Sequence, residues 1–98
     1  MGEPGPALST LHVDVRGRVQ GVGFRWFVRE SARALGLTGW VRNHPNGRVE
    51  VLALGSDSAL KALRALLAEG PAGAQVSSVE SCPDTPKNEP LDPFGILR

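Results

Sequence analysis

The chain has 98 residues, with 41% hydrophobic and 21% charged side chains and a net charge of +1. That size and balance describe one globular domain, and the near-neutral charge gives no reason to expect nucleic acid or an anionic membrane as a partner. A single cysteine, Cys82, excludes an internal disulfide and points to a reducing, cytoplasmic setting, while no apolar run approaches the ~18 residues of a membrane span.

Residues 1–9 are rich in Gly and Pro and lack an apolar stretch, so they read as a flexible tail and not as a signal peptide. The domain is expected over residues 10–98. From Leu11 to Arg16 apolar and polar residues alternate strictly, with Leu11, Val13 and Val15 on one face, as in a half-buried strand. A loop with three glycines follows, Gly17-Arg18-Val19-Gln20-Gly21-Val22-Gly23. Phe24 to Leu35 then reads as a helix, because Phe24, Phe27, Val28, Ser31 and Leu35 form one stripe. Gly36 stands where a helix cap needs it, and Leu37 is placed for the apolar contact of that cap.

Thr38 to Arg42 and Arg48 to Leu54 read as two strands of a hairpin, joined by the turn Asn43-His44-Pro45-Asn46-Gly47. Gly55 to Ser58 is a second turn, with candidate N-caps for a helix over Ala59–Glu69. Gly70-Pro71 ends that helix. Val76 to Ser81 is a fourth strand. Four prolines forbid regular structure from Pro83 to Pro93, and Phe94 to Arg98 reads as a short fifth, edge strand. The order βαββαβ is that of the ferredoxin-like split βαβ fold, an α+β sandwich whose antiparallel-rich sheet carries two helices on one face.

That topology places chemistry. The first two strands run parallel in a split βαβ unit, with the third strand antiparallel between them, so both C-terminal ends reach one edge of the sheet. The glycine loop leaves the first end, Asn43 sits at the second, and Arg25 lies in the first turn of the intervening helix. A helix start offers unpaired N–H groups and a positive dipole end, and a Gly-rich loop lets the backbone approach an anion. Arg25 would add a two-pronged cationic grip. A purely geometric turn and a solvated arginine are the plain alternatives. Asn43 has one too, as a turn residue bonding its own backbone, and the two roles are compatible. The patterns of dinucleotide folds and P-loop NTPases are both absent.

Other polar residues carry weaker signals. His44 has no carboxylate with an obvious reason to orient it. His12 alternates with core positions and belongs on solvent or on the uncovered sheet face. Asp14 and Glu50 are expected to pair with arginines. Neither spacing nor clustering of His, Cys and Asp suggests a metal site. Cys82 reads as a small half-buried residue, and Trp26 and Trp40 as packing residues.

Two blocks name a family. Val15-Arg16-Gly17-Arg18-Val19-Gln20-Gly21-Val22-Gly23-Phe24-Arg25 resembles the first signature of the acylphosphatases, and Gly39-Trp40-Val41-Arg42-Asn43-His44-Pro45-Asn46-Gly47-Arg48-Val49-Glu50 resembles their second. The resemblance covers Leu11 to Arg98. It implies hydrolysis of the carboxyl–phosphate bond of a small-molecule acyl phosphate to a carboxylate and inorganic phosphate, without metal or organic cofactor. It further implies that Arg25 binds the phosphate, that backbone amides of Gly17, Arg18, Val19, Gln20, Gly21, Val22 and Gly23 cradle it, and that Asn43 orients the attacking water. A monomer is expected. The chain departs from many members in lacking a terminal aromatic residue, and its Pro-rich loop is less distinctive; neither is expected to touch the site. A non-catalytic anion-binding module is the competing class, but it would not need Asn43. An RNA-binding module would need exposed strand aromatics that the sequence lacks.

Overall fold

The computed structural model describes residues 8–84 and 86–98. Most of the expected flexible tail, residues 1–7, lies outside the described residues, and Ser9, its last member, already belongs to a strand. In chain order the elements are β1 Ser9–Arg18, α1 Phe24–Ala34, β2 Thr38–Asn43, β3 Val49–Gly55, α2 Asp57–Glu69, β4 Gln75–Ser81 and β5 Gly95–Ile96. They form one open five-stranded sheet in the order β4-β1-β3-β2-β5, antiparallel except for the β2–β5 pair. This is the expected ferredoxin-like arrangement, with β3 between β1 and β2.

Alternation decides which face is which. Val13 and Val15 of β1, Val41 of β2 and Val49, Val51 and Ala53 of β3 are buried against Phe24, Val28 and Ala32 of α1 and Leu60, Leu63 and Leu67 of α2. The intervening positions, His12, Asp14, Trp40, Arg42 and Glu50, fall on the face without helices. Both helices end as their sequences require. Leu37 N–H bonds Ala32 C=O at 2.9 Å and Gly36 N–H bonds Arg33 C=O at 3.0 Å, closing α1 with two reversed bonds. Ser56 caps α2 by accepting from Ala59 N–H at 3.2 Å, so the helix starts at Asp57, two residues before the expected Ala59.

The C-terminal segment is more integrated than its proline content suggests. Phe94 is fully buried in the core, and its carbonyl accepts from Arg33 Nε at 2.7 Å. Leu91 and Gly39 exchange backbone hydrogen bonds at 2.9 and 3.3 Å. Asn88 C=O accepts from the buried Trp40 Nε1 at 3.1 Å. The Pro-rich loop therefore packs along one side of the open face, and it delivers β5 to the edge of β2 in parallel. The strand pairing is limited to Gly95 and Ile96, shorter than the expected Phe94–Arg98.

Candidate active site

Arg25 and Asn43 are 18 residues apart in sequence, and they line one cavity of about 200 Å³. Val19, Gln20, Gly21, Gly23, Phe24, Trp26 and Ile96 complete its wall. The topology accounts for this meeting: β1 and β2 end at the same sheet edge, and α1 begins there. Gly23 caps α1 in a left-handed conformation, φ 72°, that supplies no side-chain acceptor to the first turn. No acidic residue occupies that turn either. The helix start is thus left with N–H donors free to face an anion, beside the Arg25 guanidinium.

Asn43 is the last residue of β2 and not part of the turn. The turn role expected for it falls to Asn46, whose side chain accepts from Arg48 N–H at 3.1 Å. Asn43 Oδ1 is buried, with no hydrogen-bond partner among the described residues. A buried amide oxygen without a donor carries a desolvation cost of about 1–3 kcal/mol unless something donates to it. In this cavity that donor can be a water molecule.

Not every expected cradle residue lines the cavity. Gly17 and Arg18 belong to β1 and pair with Val76 and Gln75 of β4, just after a register shift. A Cβ at Gly17 would meet Gln75 C=O at 2.2 Å, so the close approach of β4 demands glycine there. Val22 packs against the core. Gln20 contributes in a way sequence did not suggest. Its amide nitrogen donates to His44 C=O at 2.8 Å and to Arg48 C=O at 3.1 Å, tying the loop to the β2–β3 turn that follows Asn43.

Four further expectations need correction. Trp26 is 59% exposed, not packed, and forms part of the cavity wall. Its position lies off the apolar stripe of α1, which was a legible signal. The C-terminal segment was expected to stay clear of the site, yet Ile96 reaches it through the parallel β2–β5 pairing. Glu50 bonds histidines and not an arginine: its two carboxylate oxygens each lie 2.6 Å from an imidazole Nε2, of His12 and of His44. His44 is therefore oriented by a carboxylate after all, but it lines a separate cavity on the open face of the sheet. Burial pushes the Glu50 carboxyl up, and hydrogen bonds and positive charge from the two histidines outweigh it, leaving it below the usual carboxylate range. Asp14 does pair with arginines, at 2.6 Å from Arg48 and 3.9 Å from Arg16.

The acylphosphatase family model matches residues 11–96, nearly all of the chain. The chain belongs to the acylphosphatase family. An acylphosphatase of Rhizobium etli is 50% identical over 84 residues, covering 86% of this chain and 89% of the relative. One of Pseudomonas paraeruginosa is 56% identical over 70 residues, covering 71% and 77%. The crystal structure of acylphosphatase from Bacillus subtilis superposes with a TM-score of 0.76 at 36% identity, covering 94% of this chain and all of that one. The chain is accordingly an acylphosphatase-family hydrolase of acyl phosphates, acting on a small-molecule substrate. Among the described residues, no helix is long and apolar enough to cross a membrane.

Proposed function

We propose that the protein hydrolyses acyl phosphates at the cavity between the Gly17–Gly23 loop and the end of β2, with Arg25 and the free amides of Gln20 to Gly23 and the α1 start holding the phosphoryl group and Asn43 aligning the water. The observation that carries this reading is the buried Asn43 Oδ1, without a partner among the described residues, in the same cavity as Arg25. The water donates one hydrogen bond to Oδ1, and its oxygen lone pair then points at phosphorus. A P–O bond forms from the water while the P–O bond to the acyl group breaks, and its electron pair leaves on the carboxylate. The water's proton passes to a phosphate oxygen. Because the leaving group is a carboxylate, positioning and charge stabilisation suffice, and neither a covalent intermediate nor a side-chain base is required. His44 opens onto the other face of the sheet, which supports leaving it out of the proton transfer. We place the activity in the cytoplasm and in a monomer, consistent with the single cysteine.

The test is hydrolysis of benzoyl phosphate with chelator present. Arg25→Ala is expected to lose both phosphate inhibition and turnover with its circular dichroism unchanged. Asn43→Ala is expected to lower kcat by about 10² while inorganic phosphate still inhibits. A raised KM with unchanged kcat in Asn43→Ala would overturn the water-aligning role, and turnover that vanishes only on chelation would overturn the metal-free mechanism.

A further inference from the structure

The larger cavity, about 420 Å³, lies on the helix-free face of the sheet and shares no lining residue with the phosphate site among the described residues. Two strands and a strand end deliver its floor: His12 from β1, Glu50 from β3, and Cys82 from the residue just after β4, where Cys82 N–H bonds His12 C=O at 2.9 Å. An imidazole nitrogen, a carboxylate oxygen and the Cys82 sulfur lie within 4.8 Å of one another. The His12 side chain is only 9% exposed. Its Nε2 is committed to Glu50 at 2.6 Å, and its Nδ1 is buried without any partner among the described residues. The nitrogen that faces the Glu50 carboxylate is Nε2, so an ion shared by the two residues takes the place of the Nε2–Glu50 hydrogen bond, with the imidazole proton on Nδ1.

We propose that His12, Glu50 and Cys82 form a binding site for one thiophilic divalent cation of the zinc class. A mixed nitrogen, oxygen and sulfur donor set selects such an ion over calcium or magnesium. Three protein ligands leave a fourth, open position toward the cavity. Charge closes the set, because one dication balances one thiolate and one carboxylate with a neutral imidazole. Of the three lysine and arginine side chains that line the cavity, Lys87 comes from the Pro-rich loop and the other two have partners of their own. Arg48 is held by Asp14 at 2.6 Å, and Arg42 reaches Asn88 Oδ1 at 3.5 Å. His44, 2.6 Å from the other Glu50 oxygen, orients the ligating carboxylate as outer partners of metal ligands do. A thiophilic cation binds the thiolate, so its entry displaces the Cys82 thiol proton to solvent.

Titration of tag-free protein with Co²⁺, read by thiolate-to-cobalt charge-transfer absorption, tests this directly. One equivalent is expected to saturate the band, and Zn²⁺ is expected to displace it. Cys82→Ser should abolish the band while leaving benzoyl phosphate hydrolysis unchanged, which separates this site from the phosphate site. His44→Ala should weaken cobalt binding about 10-fold without removing the band. No saturable band, or a band that survives Cys82→Ser, or one indifferent to His12→Ala in a variant shown to be folded, would overturn the proposal.

Discussion

Replacing Gln20 by Met keeps the side chain's length and removes both donors that hold the β2–β3 turn. The two lost hydrogen bonds, 2.8 and 3.1 Å long to His44 and Arg48 carbonyls, are part-buried. At about 1 kcal/mol each, their loss costs about 2 kcal/mol of stability. In a domain of this length 1 kcal/mol shifts Tm by about 5 °C, so Gln20→Met should melt about 10 °C lower. The kinetic consequence is more specific. His44 follows Asn43 directly, so the freed turn lets the end of β2 drift relative to the loop. A misplacement of about 1 Å in a positioned group costs about 10²-fold. The expected signature is kcat reduced about 10- to 100-fold with inhibition by inorganic phosphate nearly unchanged, since Arg25 is on another element. Thermal melts and steady-state kinetics on the same preparation check it. A destabilised variant with wild-type kcat would refute the claim that Gln20 positions Asn43 through the turn.

Gly39→Ala should be severe, because a Cβ there would lie 1.9 Å from Leu52 C=O at a residue with φ +134°; a loss of about 3 kcal/mol or more is expected in urea unfolding, and a near-neutral result would refute the close approach of β2 to β3. Phe94→Ala empties a fully buried aromatic site and should cost about 3–5 kcal/mol; proteolysis beginning between residues 86 and 98 would show that this side chain anchors the C-terminal segment. Glu50 carries a pH prediction. Its folded carboxyl sits below the ordinary value of 4.5, so its contribution to stability is present above pH 4.5 and is lost as pH falls through the lower folded value. The gap in unfolding free energy between the native protein and Glu50→Gln should therefore shrink on acidification, and a gap constant to the acid limit would refute it.

Much of this was legible along the chain, for reasons that also mark where it was not. Strict alternation in β1 and the leucine stripe of α2 specify buried faces directly, and the glycine-capped helix end follows from local geometry. The convergence of Arg25 and Asn43 needed only topology, because parallel strands must end at one edge. Asn43 itself was placed one step wrong, in the turn, because Asn46 supplies the same turn chemistry three residues later. The membership of Gly17 in β1 was hidden because its reason is tertiary: β4 approaches too closely for a side chain. Hardest to foresee was the His12, Glu50 and Cys82 cluster. Its members come from two strands and the residue just after a third, and their meeting depends on a register that only the apolar face determines.

That register has a consequence for how the molecule can change. Asp14 and Glu50 are direct cross-strand partners, an arrangement of like charges that is unfavourable by itself. Arg48 answers Asp14 and the two histidines answer Glu50, so the polar face is stabilised as a network and not pair by pair. Successive residues at the end of β2 and just past it serve opposite faces: Asn43 opens on the phosphate cavity, whereas Arg42 and, beyond the strand, His44 line the other. A strand with period two can therefore carry two unrelated chemistries one residue apart. Side-chain changes at His44 alter the open face through the Glu50 network and those at Arg42 through its contact with Asn88, and they reach catalysis only by moving the backbone carbonyls that Gln20 holds. Truncating the His44 side chain while keeping its carbonyl should thus leave kcat within a few-fold of the native value, whereas losing Gln20 should not. The two variants together separate the chemistry of the faces from the geometry they share.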